Sequence, residues 1–278
     1  MKLFIFGSRG MAGHMLEEYF IKETEYAVYS SSREKVKKKN HFKIDVLQHE
    51  QVINALNKVK PDVIINCTGI LNEQAERQLE IAYIVNGIFP HRLVEWANDN
   101  DAKVVQISTD CVFKGDRGNY VETDKPDGIT TYALTKRLGE LLSEPHITIR
   151  TSIIGPELKQ DGVGLFQWFM KQSGKVYGYK NALWNGMTTL QLAKVIHEML
   201  ERNGSGLYHI AAAKEISKYE LLNLIQFIFQ KNNVKILPST TPVIDRTLSV
   251  TRKDFYIEIP DYETMLKELK EWMNNRGY

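Results

Sequence analysis

"FIFGSRGMAGHML", Phe4 to Leu16, sets an apolar strand against three glycines and then a helix-length amphipathic segment. Gly7 follows the strand directly and allows a tight turn. Gly10 would let the backbone approach a pyrophosphate, and Gly13 would let the helix pack closely on the strand. Met11 opens the helix, whose first N–H groups would face the phosphates. The spacing is G-x-x-G-x-x-G rather than the commoner G-x-G-x-x-G, and any tight strand–helix turn also favours glycine. The context supplies the rest: a first strand, close to Met1, with a helix behind it.

Outward from this turn, short apolar runs alternate with amphipathic segments. "YAVYS" (Tyr26–Ser30), "FKI" (Phe42–Ile44), "DVIINC" (Asp62–Cys67), "KVVQIS" (Lys103–Ser108) and "ITIRTS" (Ile147–Ser152) read as strands. Helices are expected over His49–Val59, Gln74–Asn98 and Thr131–Ser143. Strands that are apolar nearly throughout, with helices between, imply a parallel sheet covered on both faces. The expected fold is α/β, a doubly wound Rossmann sheet over residues 1–151 with a smaller, mainly substrate-binding lobe over 152–278. Part of residues 186–212, "GLYHI" (Gly206–Ile210) above all, is expected to return to the large sheet. Helices are also expected in "GLFQWFMKQ", "TTLQLAKVIHEMLERN", "SKYELLNLIQFIFQKN" and "YETMLKELKEWMNN".

Composition excludes several classes. Of 278 residues, 43% are apolar and 25% charged, and the net charge of +2 makes no case for nucleic acid or an acidic membrane. The basic run Lys35-Val36-Lys37-Lys38-Lys39 reads as a solvated loop. No apolar stretch is long enough to span a bilayer, and the start lacks a signal peptide's core and cleavage site, so a cytoplasmic enzyme is expected. Cys67 and Cys111 do not form a disulfide framework. None of the seven histidines sits in a metal-ligand pattern, and no G-x-S-x-G elbow occurs.

The end of the second strand bears on the cofactor. An acidic residue there would accept from the ribose 2′-OH of NAD, but the chain reads Ser30-Ser31-Ser32-Arg33, with no carboxylate until Glu34. Ser31, Arg33 and Arg9 suit a 2′-phosphate, so NADP(H) is preferred and NAD(H) remains possible. Arg33 could equally just begin the basic loop. Asp45 is placed to meet the adenine, or to cap the next helix. Further along, Tyr132 and Lys136 stand four apart at a helix start and so share one face. A lysine ammonium beside a tyrosine lowers the phenol's pKa and suits it to exchange a proton with a carbonyl or alcohol. The same spacing is common on any helix.

Together these residues resemble the extended short-chain dehydrogenase/reductase superfamily, and within it most closely the dTDP-4-dehydrorhamnose reductase family. The matching segments are Gly7–Gly13, "PDVIINCTG" (Pro61–Gly69), "VNGIFPHRL" (Val85–Leu93), "ISTDCVFKG" (Ile107–Gly115) and "YALTKRLGE" (Tyr132–Glu140). "IRTSIIG" (Ile149–Gly155) and "WNGMTTLQLAK" (Trp184–Lys194) extend the likeness into the second lobe. The resemblance implies a reductase of the C4 ketone of a nucleotide-activated 4-keto-6-deoxy sugar. Thr109 would hydrogen-bond the carbonyl, Tyr132 would donate the proton and Lys136 would hold the nicotinamide ribose. Asn86 would lie near the lysine, and Cys67, Thr68 and Gly69 would border the cofactor. Asp110, Cys111, Ile153, Trp184, Asn185 and Thr188 would face the substrate, while Phe166 and Trp168 read as core. Arg150 is either a family position or a structural ion pair. The related dehydratases read Thr-Asp-Glu at Thr109-Asp110-Cys111, and a thiol replaces that glutamate poorly. The reductases often carry tyrosine at Cys111 and an aromatic at Ile153. The rival readings are a non-catalytic subunit, like the regulatory subunit of methionine adenosyltransferase, and a nucleotide-sugar epimerase. A homodimer is compatible with all three.

Overall fold

The computed structural model describes residues 1–159 and 162–276. The first half runs β1 (Lys2–Phe6), α1 (Met11–Glu23), β2 (Ala27–Ser32), β3 (His41–Lys43), α2 (His49–Val59), β4 (Val63–Asn66), α3 (Asn72–Arg77), α4 (Leu79–Ala82), α5 (Phe89–Asn98), β5 (Lys103–Ile107), α6 (Thr131–Leu138) and β6 (Ile147–Arg150). The second half adds β7 (Ile153–Ile154), α7 (Leu165–Lys171), β8 (Gly174–Tyr179), β9 (Ala182–Trp184), β10 (Met187–Thr188), α8 (Thr189–Glu201), β11 (Gly206–His209), β12 (Ile216–Ser217), α9 (Lys218–Phe229), β13 (Val234–Ser239), β14 (Ile244–Asp245) and α10 (Tyr262–Asn274).

Seven of these strands form one sheet in the order β11-β6-β5-β4-β1-β2-β3. Every neighbouring pair is parallel. Alternation along β1 shows why both faces are covered. Leu3 and Ile5 point to one side, packed with Met15, Leu16, Ile196 and Leu269 of α1, α8 and α10. Phe4 and Phe6 point to the other, packed with Leu56, Phe89 and Leu93 of α2 and α5. Each fully buried side chain of this kind contributes about 1.5–3 kcal/mol, and a one-residue slip would exchange the faces. Register is therefore fixed, and with it the level at which each strand ends. The strand order reverses between β1 and β4, and the crevice beyond those ends is where such sheets bind ligands.

Gly206–His209 is the edge strand beside β6, so the second half returns to the large sheet. Helix α8 and one side of α10 pack on the large sheet, while β7, α7, β8, β9, α9, β13 and the other side of α10 build a separate core around Phe166, Phe169, Trp184, Leu221, Ile225 and Leu266. The lobes are thus interleaved in sequence. No helix among the described residues is long and apolar enough to cross a membrane.

Two expectations need correction. Gln74–Asn98 is not one helix. Gln78 leaves helical geometry (φ −125, ψ 57), and Tyr83–Ile88 widens into a π-helical turn before α5. Pro90 has no N–H to give the carbonyl of Asn86, which explains the widening. The freed carbonyl faces the end of α6: a Cβ on Gly139 would lie 2.0 Å from it. That same Gly139 caps α6, which stops at Leu138 rather than Ser143.

Candidate active site

The glycine turn is pinned on three sides. The N–H groups of Gly7 and Ser8 both donate to the carbonyl of Ser31 at the end of β2, at 3.1 and 3.0 Å. Gly7 has φ +81, and a Cβ there would press on the Cys67–Thr68 peptide at 3.0 Å. A Cβ on Gly13 would lie 2.2 Å from the carbonyl of Gly7. Gly10 is the N-cap of α1, and no side chain caps that helix start. Its first amides therefore point into the crevice as a ready anion site. Gly7, Arg9, Gly10, Ser31, Arg33, Asp45, Cys67, Thr68 and Gly69 all line this cleft. Met11 instead reaches toward Gly164 of the second lobe. Glu34 shares the cleft and pairs with Arg9 at 3.4 Å, so one of the two expected cations already has a partner. Asp45 does not cap α2, whose N-cap is Gln48. Its carboxylate accepts from the N–H of Leu47 at 3.1 Å and shapes the loop. Within the basic run, Lys38 is tied to the buried Glu17 at 2.8 Å.

The residues expected to carry the reaction lie where β5 stops. Thr109 Oγ1 accepts from the N–H of Cys111 at 3.1 Å and donates to Asp110 at 3.0 Å, which folds Asp110–Val112 into a tight turn. Thr130 and Glu76 cap α6. The cap sets Tyr132 in the helix's first turn, over the Thr109 turn. Lys136, one turn on, is buried and donates to the carbonyl of Ile107 at 2.5 Å. Burial lowers its pKa to about 8, against the opposing pull of Glu140 and Cys67.

Here the structure departs from the sequence-based expectation. Burial, with Cys111 and Asp110 beside it, raises the Tyr132 phenol above its ordinary value, and a hydrogen bond with Thr109 only partly opposes this. The lysine shares the tyrosine's helix face, but its ammonium reaches past it to the β5 backbone. Tyr132 is therefore a protonated donor rather than an easily formed phenolate. Asn86 is fully buried in the π-helical turn. Its amide clamps the N–H and carbonyl of Ile70 at 2.8 and 2.9 Å and donates to Thr135 at 3.0 Å. It fixes the loop after β4 rather than touching the lysine directly.

A second cleft of about 810 Å³ opens from Asp110 and Cys111 into the second lobe. Trp184 lines it, with its indole N–H on Ser152 at 2.8 Å. Trp168 lines it too and is 38% exposed, so it is not core, whereas Phe166 is. Asn185 does not line it: its amide bonds the backbone of Leu248 and Ala212. Thr188 caps α8, and Ile153 packs against the main core. The sequence reading missed Lys175, Tyr177, Lys218 and Arg246, which line this cleft. One signal was available. Lys218 is the first residue of α9, where the helix dipole disfavours a cation.

A family model, the RmlD substrate binding domain, matches residues 1–255. This chain belongs to that family. A probable low-salt glycan biosynthesis reductase, Agl14, of Haloferax volcanii is 25% identical over 268 residues, 91% of this chain and 88% of that protein. A dTDP-4-dehydrorhamnose reductase of Aggregatibacter actinomycetemcomitans is 30% identical over 157 residues, 54% of this chain and 51% of that protein. The crystal structure of dTDP-4-dehydrorhamnose reductase from Bacillus anthracis in complex with NADP matches with a TM-score of 0.82 at 22% identity, over 98% of this chain and 99% of that one. At that identity the likeness is one of fold.

In this RmlD-family chain the ends of β5, α6 and β6 are tied together by one buried ion pair. Arg150 grips Glu140 with two hydrogen bonds, 2.7 and 2.8 Å, and Ser108 donates to the same carboxylate at 2.8 Å. Both partners of the pair are about 5% exposed or less. His209 accepts from Arg150 at 3.3 Å and gives its other ring N–H to the carbonyls of Tyr120 and Ser249. Arg150 is thus a structural residue. Ser108 lies between Ile107, which holds Lys136, and Thr109. Removing one charge of a buried pair leaves the other uncompensated. Glu140→Gln should cost about 3 kcal/mol of stability, read from the urea midpoint. Glu140→Gln/Arg150→Met should recover most of the loss. A single variant as stable as the parent would refute this account of the pair.

Proposed function

We propose that this chain reduces the C4 ketone of a nucleotide-activated 4-keto-6-deoxy sugar with NADP(H), and that dTDP-4-dehydro-L-rhamnose is the leading substrate. The product would feed surface-polysaccharide assembly. The observation that carries the reading is that Thr109, Tyr132 and Lys136 adjoin two clefts, the first reached through Cys67 beside Lys136 and the second through Asp110 and Cys111 beside Thr109. One is the glycine-turn cleft, the other the 810 Å³ cleft of the second lobe. The relatives named above are reductases acting in glycan or deoxysugar chemistry, which supports the same class.

The residues of the first cleft suit a dinucleotide. Its turn has no room for side chains at Gly7 and Gly13, and α1 presents uncapped amides. Arg33 and Ser31 at the end of β2 suit a 2′-phosphate. Bound NADPH supplies the hydride. The chain's own residues do the rest. Lys136, fixed by Ile107, would hold the nicotinamide ribose. Thr109 would donate to the ketone oxygen as charge develops there, and Tyr132 would pass it a proton. In the second cleft, Arg246 and Lys175 offer charge for a diphosphate, and the exposed rings of Trp168 and Tyr177 offer stacking surface.

Purified protein should oxidise NADPH when given such a ketosugar. Arg33→Ala should weaken NADPH binding about tenfold, the loss of one charge-assisted contact, and leave NADH binding unchanged. Fluorescence titration of both cofactors reads this. Equal losses for the two would remove Arg33 from the 2′-phosphate site. Absence of NADPH oxidation across a panel of nucleotide ketosugars would overturn the function.

A further inference from the structure

Two ionisable groups in the second cleft have no part in the reduction just described: Lys218 and Cys111. Lys218 opens α9 and stands over the Trp184 ring at 5.0 Å. Among the described residues, no carboxylate pairs with it at ion-pair distance. Cys111 follows the Thr109 turn, and its N–H holds the Thr109 hydroxyl at 3.1 Å. The thiol is near enough to Thr109 and to the Tyr132 phenol to act on both, so it sits beside the place where a ketone oxygen would meet them. The carbon next to a ketone lies one bond further from that oxygen than the carbonyl carbon, and its C–H is acidic.

The environments of the two groups push them toward opposite roles. Burial lowers the Lys218 ammonium to about 8; Asp110 and Cys111 pull it up and Arg246 pushes it down. A useful fraction is therefore the free amine near neutral pH, a base. Burial, together with Asp110, raises the Cys111 thiol to about 12, so it stays protonated, an acid. Titratable groups driven apart in one site mark an acid and a base.

We propose that the cleft also catalyses proton exchange at the carbon beside the ketone, Lys218 taking the proton and Cys111 returning one. The inference rests on the ketosugar reading above. The C–H bond breaks toward the Lys218 amine, which becomes an ammonium. Its electron pair forms a C=C bond as the carbonyl pair moves onto oxygen, where Thr109 and Tyr132 stabilise the enolate. The ketone then re-forms as the enolate carbon takes a proton from the Cys111 thiol. The ammonium afterwards gives its proton back to the thiolate through solvent. Nothing is oxidised or reduced, and no nicotinamide is consumed. Delivery from a second direction would invert the carbon and make the chain an epimerase before it reduces.

The test uses the full chain with dTDP-4-keto-6-deoxy-D-glucose and NADP⁺ in D2O, followed by proton NMR. Deuterium should enter beside the ketone at least tenfold faster than in buffer. The rate should climb from pH 7 to 9 as Lys218 loses its proton, in the field of Asp110, Cys111 and Arg246. Lys218→Met should bring it to the buffer rate, and Cys111→Ala should lower it about tenfold. NADPH oxidation by each variant is measured in parallel. If Lys218 serves only as a phosphate ligand, exchange and reduction fall together in Lys218→Met, and the inference is overturned. An unchanged rate in Cys111→Ala overturns the thiol's role. Reduction without exchange in the parent chain overturns this inference alone; neither activity overturns the ketosugar reading and this inference with it.

Discussion

Tyr132→Phe should cut kcat for ketone reduction about a thousandfold while NADPH binding changes by less than about twofold. The substitution removes one hydroxyl and keeps the ring. That ring is half-buried in the first turn of α6, and the helix cap made by Thr130 and Glu76 does not involve the phenol. Folding should therefore survive. What goes is the proton that an alkoxide needs as hydride arrives. Thr109 would not replace it: it would turn its hydroxyl from Asp110, 3.0 Å away, to hydrogen-bond the oxygen, but an aliphatic alcohol is a weaker acid than a phenol and keeps its proton. Burial, Cys111 and Asp110 all raise the phenol, so Tyr132 stays protonated across the working range and is ready as a donor. Steady-state rates with a ketosugar and fluorescence titration with NADPH separate the two effects. Turnover at the parent rate would dismiss Tyr132 as the donor; loss of NADPH binding would mean that the residue serves the cofactor instead.

Much of this site could be read from the sequence because strand ends leave strong marks. The stops after Phe6, Asn66 and Ile107 each put polar or glycine residues behind an apolar run, and these stops line up in space because the parallel register aligns them. Tyr132 and Lys136 were legible from helical spacing. What spacing could not give was the direction of the lysine. Its acceptor, the carbonyl of Ile107, lies on an element 29 residues earlier. The second lobe was less legible for a related reason. Its cleft is assembled from β8, β9, α7, α9 and the stretch around Arg246, none of which carries a motif by itself. Trp184 and Asn185 are adjacent in sequence, yet one faces the cleft and the other clamps Leu248. Trp168 read as core because a helix with two aromatics usually turns them inward, but only Phe166 does so. Pro90 was visible throughout, and its consequence at Asn86 four residues earlier followed from the missing N–H.

Lys136→Met should lower kcat/KM by about a thousandfold, and the parent chain should lose reductase activity above about pH 8. The two results have one cause. Lys136 is 4% exposed, and its ammonium is worked upon by burial, by Glu140 and by Cys67. Burial wins, so the charged form holds only up to about 8. The sign follows directly: the active form is the cation, present below that value and lost as pH rises through it. Tyr132, raised above its ordinary value, cannot produce this limb, and the Cys67 thiol, pushed up by burial to about 12, titrates far too high. Lys218 in the second cleft is also lowered to about 8, so a pH profile of kcat/KM from 6 to 10 assigns the limb to Lys136 when Lys218→Met keeps it and Lys136→Met loses it. Methionine keeps the length and apolar stem, so packing between α6 and β5 should hold, while the charge and the bond to Ile107 disappear. Without that charge the nicotinamide ribose would lose its proposed anchor and the developing oxyanion a nearby cation. The variant should bind NADPH more weakly, unlike Tyr132→Phe, and any residual rate should be flat between pH 7 and 9. A residual rate that still falls at about pH 8 would assign the limb to another group and take the lysine out of the mechanism.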